Sequence, residues 1–206
     1  MSGAFPISSS KFETLGIKSI QPTLISKSIS GKKLSRTIDA QRWAFTISVI
    51  TSTRATAYGE LMAFIVKQRS GKETFTVVPP EIEDARGSET GSVLVNGAQS
   101  AGDTTIAMDG FAGDGAGRFK AGDFIKFASH TKVYMVVSDV TSSSNAATVT
   151  IEPPLVADIA NDSAVTYDDV AFTVHLTNDV QEFGIVGVDK DGANLYKYEF
   201  DVEETL

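Results

Sequence analysis

The stretch from Phe119 to Leu155, FKAGDFIKFASHTKVYMVVSDVTSSSNAATVTIEPPL, constrains the fold more than any other part of the chain. Gly122-Asp123 is a turn signal, and Phe124-Ile125-Lys126-Phe127 is an apolar strand. Lys132 to Val137 is a second strand, rich in β-branched and aromatic residues. A polar turn at Ser142–Asn145 leads into Thr148-Val149-Thr150-Ile151, which alternates up to a stop at Pro153-Pro154. These parts form a compact three-stranded unit in mid-chain, between segments of different character. A small β-module inserted in a host domain fits an assembly protein better than an enzyme.

A chain of 206 residues suits one large domain or a host plus an insert. Apolar residues make up 42%, enough to bury a core. No apolar run of membrane-spanning length occurs, so no membrane insertion is expected. The start, MSGAFPISSSK, lacks the basic and apolar regions of a secretory signal. With no cysteine there are no disulfides, thiolate metal sites or cysteine nucleophiles. Synthesis in a reducing cytoplasm is the expectation that follows.

Net charge is -8, unevenly spread. Residues 1–80 hold 11 Lys+Arg against 4 Asp+Glu, and residues 81–206 hold 7 against 22. Such asymmetry suits head-to-tail contact between copies, or an acidic face that repels passing DNA. It also suits a soluble domain with two solvated faces.

Residues 1–35 show no clean period of two, and one or two short strands with a Gly31-Lys32-Lys33 loop are expected. Arg36 to Ile50 reads as a strong strand, with Trp43, Phe45, Ile47 and Val49 on the core face. Thr53 to Arg69 reads as the one helix, with Ala57, Leu61, Phe64 and Ile65 inward. Ser52 or Thr53 is its expected N-cap and Gly71 its C′ residue, while Gly59 weakens it. Phe75–Val78 is a strand ended by Pro79-Pro80, and Glu81–Thr90 is an acidic linker. Ser92–Ala98 and Thr104–Met108 complete a five-stranded insert. Val170–Leu176 and a Phe183–Val188/Leu195–Val202 hairpin across Asp191-Gly192 return to the host. The expected fold is mainly β: a β-sandwich host domain with one flanking α-helix and an inserted small β-barrel-like module. The expected division is residues 1–85 (host, first part), 86–166 (insert) and 167–206 (host, C-terminal strands).

No catalytic pattern stands out. Asp109 to Gly122, DGFAGDGAGRFKAG, lacks the spacing and hydroxyl of a P-loop, and no helix follows it. Asp109 and Asp114 could meet a cation, but the calcium-loop pattern is absent, and a loop is the simpler reading. His130, in a polar turn, and His175, pointing to solvent or an interface, have no partner at ligand spacing. Glu81, Glu83 and Asp84 read as a solvated run rather than a catalytic pair. Asn161-Asp162-Ser163 is a glycosylation sequon that means little without a signal peptide. Lys27, Lys32, Lys33, Arg36 and Arg42 are a moderate basic run, and the acidic remainder argues against sequence-specific nucleic-acid binding. No catalytic residue, cofactor or metal is expected.

The strand-helix-strand run RWAFTISVITSTRATAYGELMAFIVKQRSGKETFTVVPP (Arg42 to Pro80) precedes an insert with the landmarks GDFI, KVY and PPL. In this order of parts the chain resembles the distal tail proteins of bacteriophages. The resemblance implies a hexameric ring of this chain around the DNA channel, joining the tail tube to the baseplate or tail tip. Its location would be the virion tail, and its partners other copies, the tail tube, and the tail hub or fibre. Asp189, Asp191, Glu199, Asp201, Glu203 and Glu204 are the expected lumen or ring-contact acids. Lys32, Lys33, Arg36 and Arg42 are the expected basic ring contacts. Alternatives are a tail tube or tail-completion protein, a carbohydrate-binding adhesin module for a host-cell glycan, and a peptidoglycan hydrolase.

Overall fold

A computed structural model describes residues 3–7, 11–38 and 41–206. The strand expected over Arg36–Ile50 crosses Asp39 and Ala40, which lie outside the described residues. The chain is mainly β with one α-helix among the described residues.

The longest strands build the host sheet. They are β1 (Phe12–Ile20), β4 (Arg42–Thr53) and β16 (Asn194–Glu204), joined by β5 (Phe75–Val77), β14 (Phe172–Leu176) and β15 (Gly184–Val188). The order is β1-β4-β16-β14-β5, with β15 beside the first half of β16. On β4 the expected face is inward: Trp43, Phe45, Ile47 and Val49 are buried. They pack opposite Tyr198, Phe200 and Val202 of β16, and Phe172, Val174 and Leu176 of β14 complete the core.

Strand β1 runs for nine residues, longer than the sequence suggests, and a bulge explains why. Phe12 opposes Val49 and Leu15 opposes Ile47, with the register shifting between Phe12 and Thr14. The extra residue lets two apolar side chains three apart in sequence face one core, which hides the period of two. Next come β2 (Thr23–Lys27) and β3 (Lys33–Thr37), a separate hairpin with every strand residue exposed. Lys33 therefore opens a strand rather than lying in a loop.

The helix begins with a wide turn of π type over Arg54–Tyr58, then runs as α1 (Gly59–Lys67). The wide turn sends both Ala57 and Tyr58 inward, followed by Leu61 and Ile65. A Cβ on Gly59 would lie 2.7 Å from the Arg54 carbonyl oxygen, so Gly59 permits this turn rather than merely weakening the helix. Thr53 is the N-cap residue but makes no side-chain capping bond. Arg69, at φ 53°, takes the left-handed position expected of Gly71.

The middle of the chain forms a second sheet of β6 (Leu94–Val95), β7 (Thr105–Asp109), β9 (Phe124–Phe127), β10 (Val133–Val136), β12 (Ala146–Glu152) and β13 (Val165–Thr166). Their order in the sheet is β13-β9-β10-β12-β7-β6. A bridge between Leu94 and Ala164, with Val165 N–H donating to the Val93 carbonyl, brings the two ends together. The result is a nearly closed, barrel-like sheet. Its interior holds Val95, Ile106, Met108, Phe119, Phe127, Tyr134 and Ile151. A short pair, β8 (Gly115–Ala116) with β11 (Thr141–Ser142), ties down the glycine-rich loop. Ser144 and Asn145 both have positive φ, as a tight two-residue turn requires.

Candidate functional site

Three features of the surface and the junction bear on function: the seam between the two sheets, the outer face of the host sheet, and the β2–β3 hairpin.

The β9–β10 ribbon is a wall shared by both cores. Phe124 and Val133 belong to the host core, whereas Ile125, Phe127, Tyr134 and Val136 belong to the insert core. A strand that serves two cores carries apolar neighbours instead of strict alternation, as Phe124-Ile125 and Val133-Tyr134 do. Trp43 meets Phe124 edge-on at 5.1 Å, and Phe124 meets Phe172 at 5.6 Å. The Trp43 indole N–H donates to the Val133 carbonyl at 3.0 Å. Trp43 is thus a core residue, as its sequence suggests, and it also fastens the insert.

Beside it lies a fully buried ion pair. Lys132 Nζ stands 2.5 Å from Glu204 Oε2, and neither side chain is exposed. Glu204 also accepts the N–H of Val133 at 2.7 Å and of Trp43 at 3.1 Å. Lys132 donates as well to the Val133 carbonyl at 2.9 Å. Burial pushes the Glu204 carboxyl up and the Lys132 ammonium down; each charge and the N–H donors oppose this. The pair suits orientation more than net stability, because desolvation offsets much of the Coulomb gain. Lys126 adds a third tie, from Nζ to the Ala171 carbonyl at 2.9 Å.

Glu204 is therefore an interior residue and takes no part in an exposed acidic face. Glu199, Asp201 and Glu203 do share one face, the outer face of β16, opposite the buried Tyr198, Phe200 and Val202. Asp201 accepts from the Thr46 hydroxyl at 2.5 Å. Glu203 pairs with Arg42 at 2.8 Å, which joins two residues expected on opposite flanks. Asp189 lies in the β15–β16 turn, where its carboxylate accepts the N–H of Asp191 and Ala193. Asp191, exposed, pairs with Lys190. Lys32, Lys33 and Arg36 are exposed on the hairpin, at a distance along the chain from Arg42 on the host sheet.

Sequence reasoning missed several buried polar residues. Glu89, read as linker, is buried and accepts the N–H of Gly91 and Ala112, each at 2.7 Å. Asp123 is buried and binds Arg86 and the Lys120 N–H. Together they clamp the linker to the insert, and Gly87 lets it pass: a Cβ there would lie 1.8 Å from the Arg118 carbonyl oxygen. His130 is buried, not in an open turn, with Nδ1 2.8 Å from the Tyr134 hydroxyl; burial holds its pKa down. The same burial pushes the Tyr134 phenol up to about 12. His175 is half-buried and meets the Thr205 hydroxyl. Asp114 spends a carboxylate oxygen on the Asn145 N–H at 2.8 Å, and the backbone N–H groups of Asn145 and Ser144 hold its pKa down. The large aromatics Phe111, Phe119, Phe124, Phe127 and Tyr134 within residues 86–166 are all buried, so they offer no stacking platform for a sugar.

Comparison with known proteins adds one match. Residues 83–170, which hold the whole barrel-like sheet, match the family model of the distal tail protein pb9, B domain. That match covers somewhat less than half of the chain and ties this part of it to phage distal tail proteins. A domain of that kind supports a structural role in a phage tail. No curated protein matches the chain.

Proposed function

We propose that the protein forms a hexameric ring around the DNA channel, joining the tail tube to the baseplate or tail tip. The observation that carries this reading is the B-domain match, on a module fastened rigidly to a second sheet. Within it, residues 1–85 and 167–206 form a β-sandwich host, which builds the ring, and residues 86–166 form the insert that thickens its wall. Glu199, Asp201 and Glu203 give one sheet face a row of carboxylates suited to a lumen, where like charge keeps phosphate from adhering. Asp191, Lys32, Lys33 and Arg36 are contacts between neighbouring copies or rings. Tail tube and tail hub or fibre proteins are the partners above and below.

Light scattering of the purified protein across a concentration series tests the ring. A closed oligomer of six copies is expected. A strict monomer at every concentration, with no rings on negatively stained grids, would overturn it.

A further inference from the structure

The β2–β3 hairpin leaves the host sheet between the end of β1 and the start of β4, and every residue of its two strands is exposed. Leu24, Ile25 and Leu34 are each more than half exposed, and Ile29 at the tip is fully exposed. Register places Leu24 and Leu34 on one face and Ile25 on the other. A two-stranded hairpin alone is at best marginally stable in water, so apolar residues on both faces call for a covering surface. Residues 23–37 also carry four cations (Lys27, Lys32, Lys33 and Arg36) and no carboxylate.

A complementary surface lies at the other end of the same sheet. Strand β15 pairs only with β16 among the described residues, and its outer edge shows Ile185, Val186 and Val188, each more than half exposed, near exposed Val180. By contrast, residues 3–7 cover the β5 edge, where Phe5 N–H donates to the Thr76 carbonyl. Residues 178–192 around β15 hold Asp179, Glu182, Asp189 and Asp191 against the single Lys190. An open, apolar edge strand is a template for pairing with another chain.

The two surfaces lie toward opposite ends of the host sheet. The hairpin departs beside Arg42, which pairs with Ile20; β15 lies beside the start of β16, which pairs with Thr53. The twelve residues of β4 span roughly 40 Å from one end to the other. Complementary patches at opposite ends of a molecule make head-to-tail contacts between copies.

We propose that the β2–β3 hairpin is a docking arm that seats on the exposed β15 edge of a second copy of this chain. Apolar side chains supply the contact, and the cations of the arm facing the carboxylates around β15 fix its direction. The inference rests on the ring reading and names the surface by which copies meet.

The cysteine-free sequence makes a cross-linking test clean. Ile25→Cys and Val186→Cys are made as separate full-length variants, mixed and mildly oxidised. A disulfide-linked dimer in the mixture, well above either variant alone, is expected. In parallel, Ile25→Glu and Val186→Lys should each shift the light-scattering mass to monomer with an unchanged melting temperature, since both sites are exposed. Oligomers that survive both substitutions, without the mixed cross-link, would overturn the docking arm and leave the ring standing. A wild-type monomer without cross-link would overturn both. A mixed cross-link in open-ended fibres would support the arm and overturn ring closure.

Discussion

The β9–β10 ribbon and the β2–β3 hairpin are both antiparallel pairs of short strands with apolar side chains on both faces. The ribbon is buried on both sides, serves two cores and carries a buried ion pair. The hairpin is exposed on both sides, and among the described residues its strands enter neither core. Local pairing is the same, so the difference lies in what stands around each pair. A ribbon between two sheets reaches its low free energy within the monomer. A hairpin beyond the end of a sheet reaches it only against another surface.

The comparison can be tested hardest by truncating one large apolar side chain in each pair. Phe124→Ala should cost about 3–5 kcal/mol by loss of transfer energy and a cavity between two cores. Leu24→Ala should leave the monomer within about 0.5 kcal/mol of wild type. Denaturant titration at low protein concentration reads both. Equal costs would mean that the hairpin is buried in the isolated chain.

The ion pair gives the next effect. Lys132→Met strands the Glu204 carboxylate among apolar groups and should cost about 3–5 kcal/mol near neutral pH. Adding Glu204→Gln should return part of that loss, because the remaining amide oxygen still accepts a backbone N–H while no charge is buried. The pH dependence has a definite sign. Burial raises the folded pKa of Glu204 above its ordinary 4.5, and without Lys132 it rises further. The stability tied to that proton is full below the unfolded pKa and is lost as pH rises through the folded one. The Lys132→Met variant should therefore approach wild-type stability on acidification, as thermal scans from neutral to acid pH will show.

Trp43→Phe should be milder, at about 1 kcal/mol, because the Val133 carbonyl keeps the Lys132 donor. Faster hydrogen exchange should then centre on β10. The smallest effect is at the sheet surface. Lys197, 2.6 Å from Glu13, is the main cause that lowers the Glu13 pKa. A lowered carboxyl pKa stabilises above the unfolded value and ceases to as pH falls through the folded one. Glu13→Gln should lower the neutral-pH melting temperature only slightly, and the difference from wild type should vanish in thermal scans below the carboxylate range.

Much of the fold was legible because strands with one buried face alternate. The inward faces of β4 and β14, Trp43 to Val49 and Phe172 to Leu176, follow directly from a period of two. Strand β1 was obscured by the bulge after Phe12, and the helix start by a π turn that no periodicity announces. The outer acids were readable as a group, but only pairing assigned them. Parity along β16 puts Glu199, Asp201 and Glu203 outside and Glu204 inside, one residue further on.

The alternating strands β4 and β14 and the uneven charge could be read from the chain alone, because they depend on neighbours along it. That Glu204 meets Lys132, that Trp43 spans two cores, and that the arm and β15 stand toward opposite ends of one sheet came from the fold. Those relations join residues as many as 161 positions apart, and no local pattern encodes such a distance.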